Sequence, residues 1–239
     1  DNMIYSYPYT ISISRSGPDN QLTPACAMDL LQDCATLHTM AAGAGPDKLK
    51  QQHIAWVANS WNIYFDKPCH FEETVQLATW AHKFDRVFAH RNCSITNADG
   101  ELCLRADSLW FLMDFEKKIP LPMKKEQAER YETHPRLEMP PMVRRLKLPE
   151  ELEARPEFQV PRYAIDVNQH MNNVWYVRFA MEYLPEEFQL GQLKVEYTQS
   201  ARQGDLVYPK VAQQGGTVWV ALCDAEGKAY AKVIFEEKA

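Results

Sequence analysis

From Val174 to Leu184 nearly every residue is apolar or aromatic, and Arg178 and Glu182, four apart, make up the one polar stripe. A helix of this kind is apolar over most of its circumference, so a single covering layer cannot bury it and other elements must wrap around it. A stretch over about 23–40 repeats the design, with Asp29, Gln32, Asp33 and Thr36 as the polar stripe on a surface of Ala, Cys, Met and Leu. Each helical stretch is followed by four strand-like runs, near 54–65, 74–84, 87–96 and 102–113 in the first half and near 193–201, 206–213, 217–223 and 229–236 in the second. The last two runs of each half are joined by matching turns, Ala98-Asp99-Gly100-Glu101 and Ala225-Glu226-Gly227-Lys228, of the Asp-Gly and Glu-Gly kind found in hairpins.

Long antiparallel strands joined by short turns can curl round a central helix and meet the wrapping requirement. The expected fold is therefore α+β: two tandem hot-dog units, each a long antiparallel sheet wrapped around a central helix. Between the halves, 119–160 loses the periodic apolar pattern and carries seven prolines, from Pro120 to Pro156 and including Pro140-Pro141, with Pro161 just beyond. It reads as a connector able to hold one short helix near 123–131. The expected organisation is an N-terminal hot-dog domain over 1–118, a linker over 119–160 and a C-terminal hot-dog domain over 161–239.

The formal net charge of −6 argues against a nucleic-acid binder, which carries a basic surface to neutralise phosphates. No run approaches the length of a membrane span. Asp1 to Tyr9 lacks the basic start and apolar stretch of a signal peptide, so a cytoplasmic location is expected. Six cysteines show no CxxC or Cys/His spacing, and they read as reduced packing residues with no metal site. Any acidic partner must meet a local basic patch, for which Lys117-Lys118, Lys124-Lys125 and Arg144, Arg145 and Lys147 are candidates; solvated lysines beside a linker explain each equally well.

The chemistry concentrates in Asp166-Val-Asn168-Gln169-His170-Met171-Asn172-Asn173, at the start of the second helix. A helix start needs one short polar side chain to accept from its free N–H groups, and this stretch supplies a carboxylate, an imidazole and several carboxamides. It resembles the catalytic signature of the acyl–acyl carrier protein (acyl-ACP) thioesterases, double hot-dog enzymes that end fatty-acid synthesis in plants and occur in many bacteria. In the first half, Trp56-Val57 through Ile63-Tyr64-Phe65-Asp66-Lys67-Pro68, then Glu73-Thr74-Val75 to Thr79-Trp80, is similar to that family's long strand pair. The resemblance runs over nearly the whole chain.

It implies hydrolysis of fatty acyl-ACP to free fatty acid, without a cofactor. Asp166 would be the reactive carboxylate, activating water or attacking directly, with helix capping as the competing role. His170 would bond Asp166 or the water and move protons in its ordinary titration range. Asn168 would orient substrate or contact the oxyanion. Backbone N–H groups around Asn172 and Asn173, at the positive end of the helix, would polarise the carbonyl. The thiol, with a pKa of about 8.5, leaves without a strong general acid.

The plant members carry a Glu-Cys pair on the strand after the catalytic helix, where Ser200 and Ala201 stand here. A cysteine nucleophile is absent at that place, and either Ser200 holds water instead or Asp166 and His170 suffice. Strand alternation puts Glu196, Thr198 and Ser200 on one face, making Glu196 and Ser200 weak candidates. The first half offers Asp19-Asn20-Gln21-Leu22-Thr23 before its helix, a good cap with no histidine, so one active site per chain is expected. Its Met28, Leu31, Trp56 and Trp61 would line the acyl pocket or form ordinary core. Arg144, Arg145 and Lys147 would steer the acidic carrier protein. Two other readings stay open: an acyl-CoA thioesterase on the same fold, and a non-catalytic acyl- or carrier-binding module. Monomer and homodimer remain equally compatible.

Overall fold

The computed structural model describes residues 4–239. The chain forms two compact units, 1–142 and 143–239. In the first, β1 (Tyr5–Thr10) leads through a turn into α1 (Pro24–Ala41), then α2 (Pro46–Gln51), β2 (Ile54–Phe65), β3 (Thr74–Phe84), β4 (Phe88–Thr96), β5 (Leu102–Asp114), the short β6 (Ile119–Leu121) and α3 (Lys125–Ala128). The strands form an antiparallel sheet in the order β1-β3-β4-β5-β2, with β6 added to the end of β5.

Helix α1 begins where Thr23 Oγ1 accepts from Cys26 N (3.2 Å) and Pro24 takes the first turn, a position that needs no N–H. It packs on β3 and β4. Met28, Leu31 and Cys34 of the helix are wholly buried, as are Leu77, Cys93 and Ile95 of the sheet, which is the wrapping that an apolar helix demands. Residues 131–140, in the proline-rich stretch, lie over β3, β4 and β5. Trp80 Nε1 donates to Pro135 O (3.0 Å), Leu137 N to Asn92 Oδ1 (2.8 Å), and Arg136 bonds the buried Asp107 carboxylate (3.1 Å), which also meets His82 Nε2 (3.0 Å).

The second unit holds β7 (Glu153–Ala154), β8 (Phe158–Gln159), α4 (Asn173–Met181), β9 (Leu190–Tyr197), β10 (Leu206–Gln214), β11 (Thr217–Cys223) and β12 (Ala229–Glu237). Its antiparallel order is β9-β12-β11-β10, and β7 and β8 pair in succession along β10. Helix α4 packs on β11 and β12. It stops short of the expected Leu184 because Pro185 disfavours helical backbone ahead of it; the N–H groups of Glu182, Tyr183 and Leu184 make tighter bonds to Phe179, Ala180 and Met181. The two matching turns share one geometry, with Gly100 at φ +79° and Gly227 at φ +84°. Asn97 and Asp224 each accept two backbone N–H groups there. No helix among the described residues is long and apolar enough to cross a membrane.

Candidate active site

The stretch 165–172 is a tight turn closed by an Ile165–Met171 bridge. Asp166 N donates to His170 O (3.1 Å) and Gln169 N to Asp166 O (3.0 Å), with Gln169 in the left-handed region at φ +63°. Met171 N donates to Ala201 O and Asn172 N to Ala164 O, both at 2.8 Å. Asn172 then caps α4, its Oδ1 accepting from Val174 N (3.1 Å). One short loop therefore carries the carboxylate, the imidazole and the head of the helix.

The Asp166 carboxylate is held at both oxygens. Oδ1 accepts from Asn168 N (2.9 Å) and Oδ2 from Asn172 Nδ2 (3.0 Å). An ionised carboxylate has about four acceptor sites, so each oxygen keeps capacity for water or substrate. Asp166 and His170 are half-buried and Asn168 is exposed. The Asn172 side chain thus has two jobs, capping α4 with its oxygen and fixing Asp166 with its nitrogen. Its backbone N–H, expected to face the oxyanion, is committed to Ala164 O, which leaves the Asn173 N–H as the donor at the helix tip.

Two tyrosines that the sequence reading counted only as helix or strand surface fix this tip. Tyr197 OH donates to Asn173 O and Tyr176 OH accepts from Ala201 N, both at 2.8 Å, and the rings pack edge to face at 5.7 Å between centroids. Burial pushes the Tyr176 hydroxyl up to about 12 and also raises that of Tyr197 well above its ordinary value. The available signal was that a buried tyrosine hydroxyl needs a partner.

Ser200 and Glu196 part company. Strand β9 ends at Tyr197 because Thr198 N and Gln199 N both turn to Tyr230 O, so the expected alternation does not reach Ser200. Ser200 is exposed in the loop beside Ala201. Glu196 is buried, and its Oε1 accepts from Leu146 N (3.3 Å) and pairs with Lys232 Nζ (3.4 Å). Those bonds make it a tether for the 146 segment. The same tether leaves Arg144, Arg145 and Lys147 exposed on either side of buried Leu146. In the first unit Met28, Leu31 and Trp61 are buried, Trp61 packing edge to face on Trp110, and Trp56 is half-buried against Ala44, Leu49, Ile54 and Leu112.

Models of the acyl-ACP thioesterase N-terminal and C-terminal domains match residues 2–131 and 148–236. The chain belongs to the acyl-ACP thioesterase family. Among curated relatives, it is 25% identical over 251 residues to oleoyl-acyl carrier protein thioesterase 1, chloroplastic, of Arabidopsis thaliana, covering 95% of this chain and 69% of that protein. It is 26% identical over 215 residues to palmitoyl-acyl carrier protein thioesterase, chloroplastic, of Cuphea hookeriana, covering 82% and 52%. The chain thus spans between about half and about two thirds of the length of these relatives. In fold it is similar to an acyl-ACP thioesterase of Bacteroides thetaiotaomicron (TM-score 0.89, 17% identity, 98% of each chain). It is equally similar to the 12:0-ACP thioesterase of Umbellularia californica (TM-score 0.89, 18% identity, 100% of this chain and 98% of that one). The double hot-dog architecture is therefore that of the acyl-ACP thioesterases.

Proposed function

We propose that this chain hydrolyses the thioester of fatty acyl-ACP. The observation that supports the reading best is the Asp166 carboxylate, oriented by two donors within one turn of His170 and of the α4 tip. Asp166 acts as the base: its oxygens are already hydrogen-bonded, which favours accepting a proton from water over direct attack. Water adds to the thioester carbon and its proton passes to the carboxylate and on to His170. The oxyanion is met by the Asn173 N–H, where the helix dipole adds to the donor, and by the exposed Asn168 amide. Collapse expels the thiolate of the carrier, which is protonated, and releases the fatty acid.

The carrier is assigned from the exposed Arg144, Arg145 and Lys147 run, a local basic surface on a chain whose net charge is −6. Such a surface steers an acidic protein and contributes little to a small soluble thioester. The apolar interior of the first unit, with Met28, Leu31 and Trp61, is assigned to the acyl chain.

A hydrolysis panel of ACP and coenzyme A thioesters of graded length, run beside Asp166→Asn, tests the reading. Hydrolysis of the carrier-bound series that collapses in the variant supports it; an unchanged rate in Asp166→Asn, or no hydrolysis of any thioester, refutes it. Replacing Arg144, Arg145 and Lys147 by glutamate should raise KM for the carrier-bound substrate and spare a small soluble thioester without phosphate groups. Equal effects on both would remove the docking role.

A further inference from the structure

The layer between α1 and the sheet of the first unit contains a cation. Arg91, on β4, keeps 8% of its surface accessible, and its Nη1 donates to His38 Nδ1 (2.8 Å) and Thr79 Oγ1 (2.9 Å). No carboxylate pairs with it among the described residues. This is unusual, because a guanidinium carries five N–H donors and a buried one normally meets a carboxylate. Burial lowers the Arg91 pKa, and it also lowers that of His38 to about 4, a shift to which the Arg91 charge contributes. His38 is therefore neutral at pH 7 and serves as an acceptor, leaving the positive charge uncompensated.

The surroundings add further donors. Arg91 Cζ lies 5.7 Å from the centre of the Tyr131 ring. The Trp56 indole Nε1 and the Tyr131 hydroxyl are both buried and face one another, the indole N–H directed at the phenol oxygen, and neither has any other hydrogen-bond partner, so the phenol proton is left without an acceptor. A guanidinium edge, a phenol and an indole N–H thus share one apolar interior with more donors than acceptors. Buried polar groups of native proteins are almost always satisfied, and an excess of donors is satisfied by a group that accepts and brings no proton of its own.

We infer that Arg91, with Tyr131 and Trp56, forms a specificity subsite for an acceptor oxygen carried on the acyl chain, either an oxo group or a distal carboxylate. The inference rests on the thioesterase reading and narrows its substrate class. An unsubstituted hydrocarbon chain would leave these donors unmet, whereas a carbonyl or carboxylate oxygen answers the guanidinium directly. A site built to hydrogen-bond a substrate group discriminates strongly against the analogue that lacks it.

The test compares three ACP thioester series of matched length: unsubstituted, oxo-substituted at successive carbons, and ω-carboxylated. One of the two oxygenated series should exceed the unsubstituted one in kcat/KM by about ten- to a hundredfold, the worth of one hydrogen bond to a charged donor. The series that does so identifies the oxygen. In Arg91→Met this ratio should fall to near one, chiefly through KM. Tyr131→Phe, which deletes one donor at little cost in volume, should lower it in part and serves if Arg91→Met fails to fold.

A ratio near one throughout in the wild type, or a ratio that survives Arg91→Met, overturns the subsite. Calorimetric binding of the oxo-substituted, ω-carboxylated and unsubstituted chains, each capped as a methyl ester at C1, to the wild-type protein separates the two readings. If no thioester is hydrolysed, the proposed activity fails, yet preferential binding of the oxygenated esters still supports the subsite and equal binding removes it.

Discussion

The turn before α1 and the turn before α4 are one backbone design used twice with different side chains. Gly17 N donates to Gln21 O (2.8 Å) as Asp166 N does to His170 O (3.1 Å), and Asn20 sits at φ +65° as Gln169 does at φ +63°. Leu22 N donates to Cys69 O as Met171 N does to Ala201 O, and Thr23 N to Arg15 O as Asn172 N does to Ala164 O. Thr23 and Asn172 then cap their helices. Along this common path Asp166 is matched by Gly17, His170 by Gln21 and Asn173 by Pro24. The first unit thus lacks the carboxylate, the imidazole and, because proline has no N–H, the donor at the helix tip. The backbone conformation serves the fold in both units, and the three side-chain differences are the reason the proposed chemistry is assigned to the second.

Transplanting residues from the first turn into the second is the sharpest way to break this comparison. His170→Gln and Asp166→Gly should each reduce kcat by about 10²–10⁴-fold, the usual contribution of a positioned acid or base. Unfolding curves should show the fold kept, since the first turn forms with glutamine and glycine at these places. Full activity in either variant would show that the turns differ only by drift.

Asn173→Pro copies Pro24. It should cost roughly a hundredfold in kcat, as loss of an oxyanion donor does, while KM and the unfolding midpoint stay near wild type. Asn172 already has φ −60° and ψ 141°, the region proline requires of its predecessor, and the Asn173 carbonyl still accepts from Tyr197. A rate equal to wild type would assign the oxyanion to other groups.

Asn172→Thr copies Thr23 and separates the two tasks of that side chain. The hydroxyl can still cap α4, so stability should change by less than about 0.5 kcal/mol. The bond to Asp166 Oδ2 is lost, and kcat should fall about tenfold, measured beside the melting temperature.

The smallest effect concerns pH. His38 belongs to the first unit alone, and its folded pKa of about 4 lies below the ordinary 6.5. Between these values the unfolded chain binds the proton and the native state does not, so stability is intact above pH 6.5 and declines as pH falls towards 4. Denaturant midpoints measured across this window should show the slope, and His38→Gln should flatten it.

How far the sequence alone reached follows from where each hydrogen bond closes. The β2 and β3 spans, 54–65 and 74–84, were readable to the residue because runs rich in β-branched, aromatic and apolar residues between breakers are local signals. Strand β1 and the pair β7 and β8 were not foreseen. They are edge pieces containing Pro8 or flanking Pro156, and only their partners on β3 and β10 make them strands. Ser200 was placed on a strand because nothing local shows Thr198 and Gln199 both turning to Tyr230. Glu196 could not be told from a site residue until Leu146 and Lys232, distant in sequence, were found on its carboxylate.

The order of residues by itself determined the duplicated hot-dog plan, the family signature from Asp166 to Asn173 and the lack of a histidine in the first turn. Each depends on side-chain type and spacing over a few residues. Only the tertiary structure decided which N–H groups near the α4 tip are already spent, that Asn172 holds Asp166, and that Arg91 lies buried with no carboxylate on it among the described residues. Those facts turn on which distant groups share a hydrogen bond, and satisfaction of donors and acceptors is a property of the packed chain.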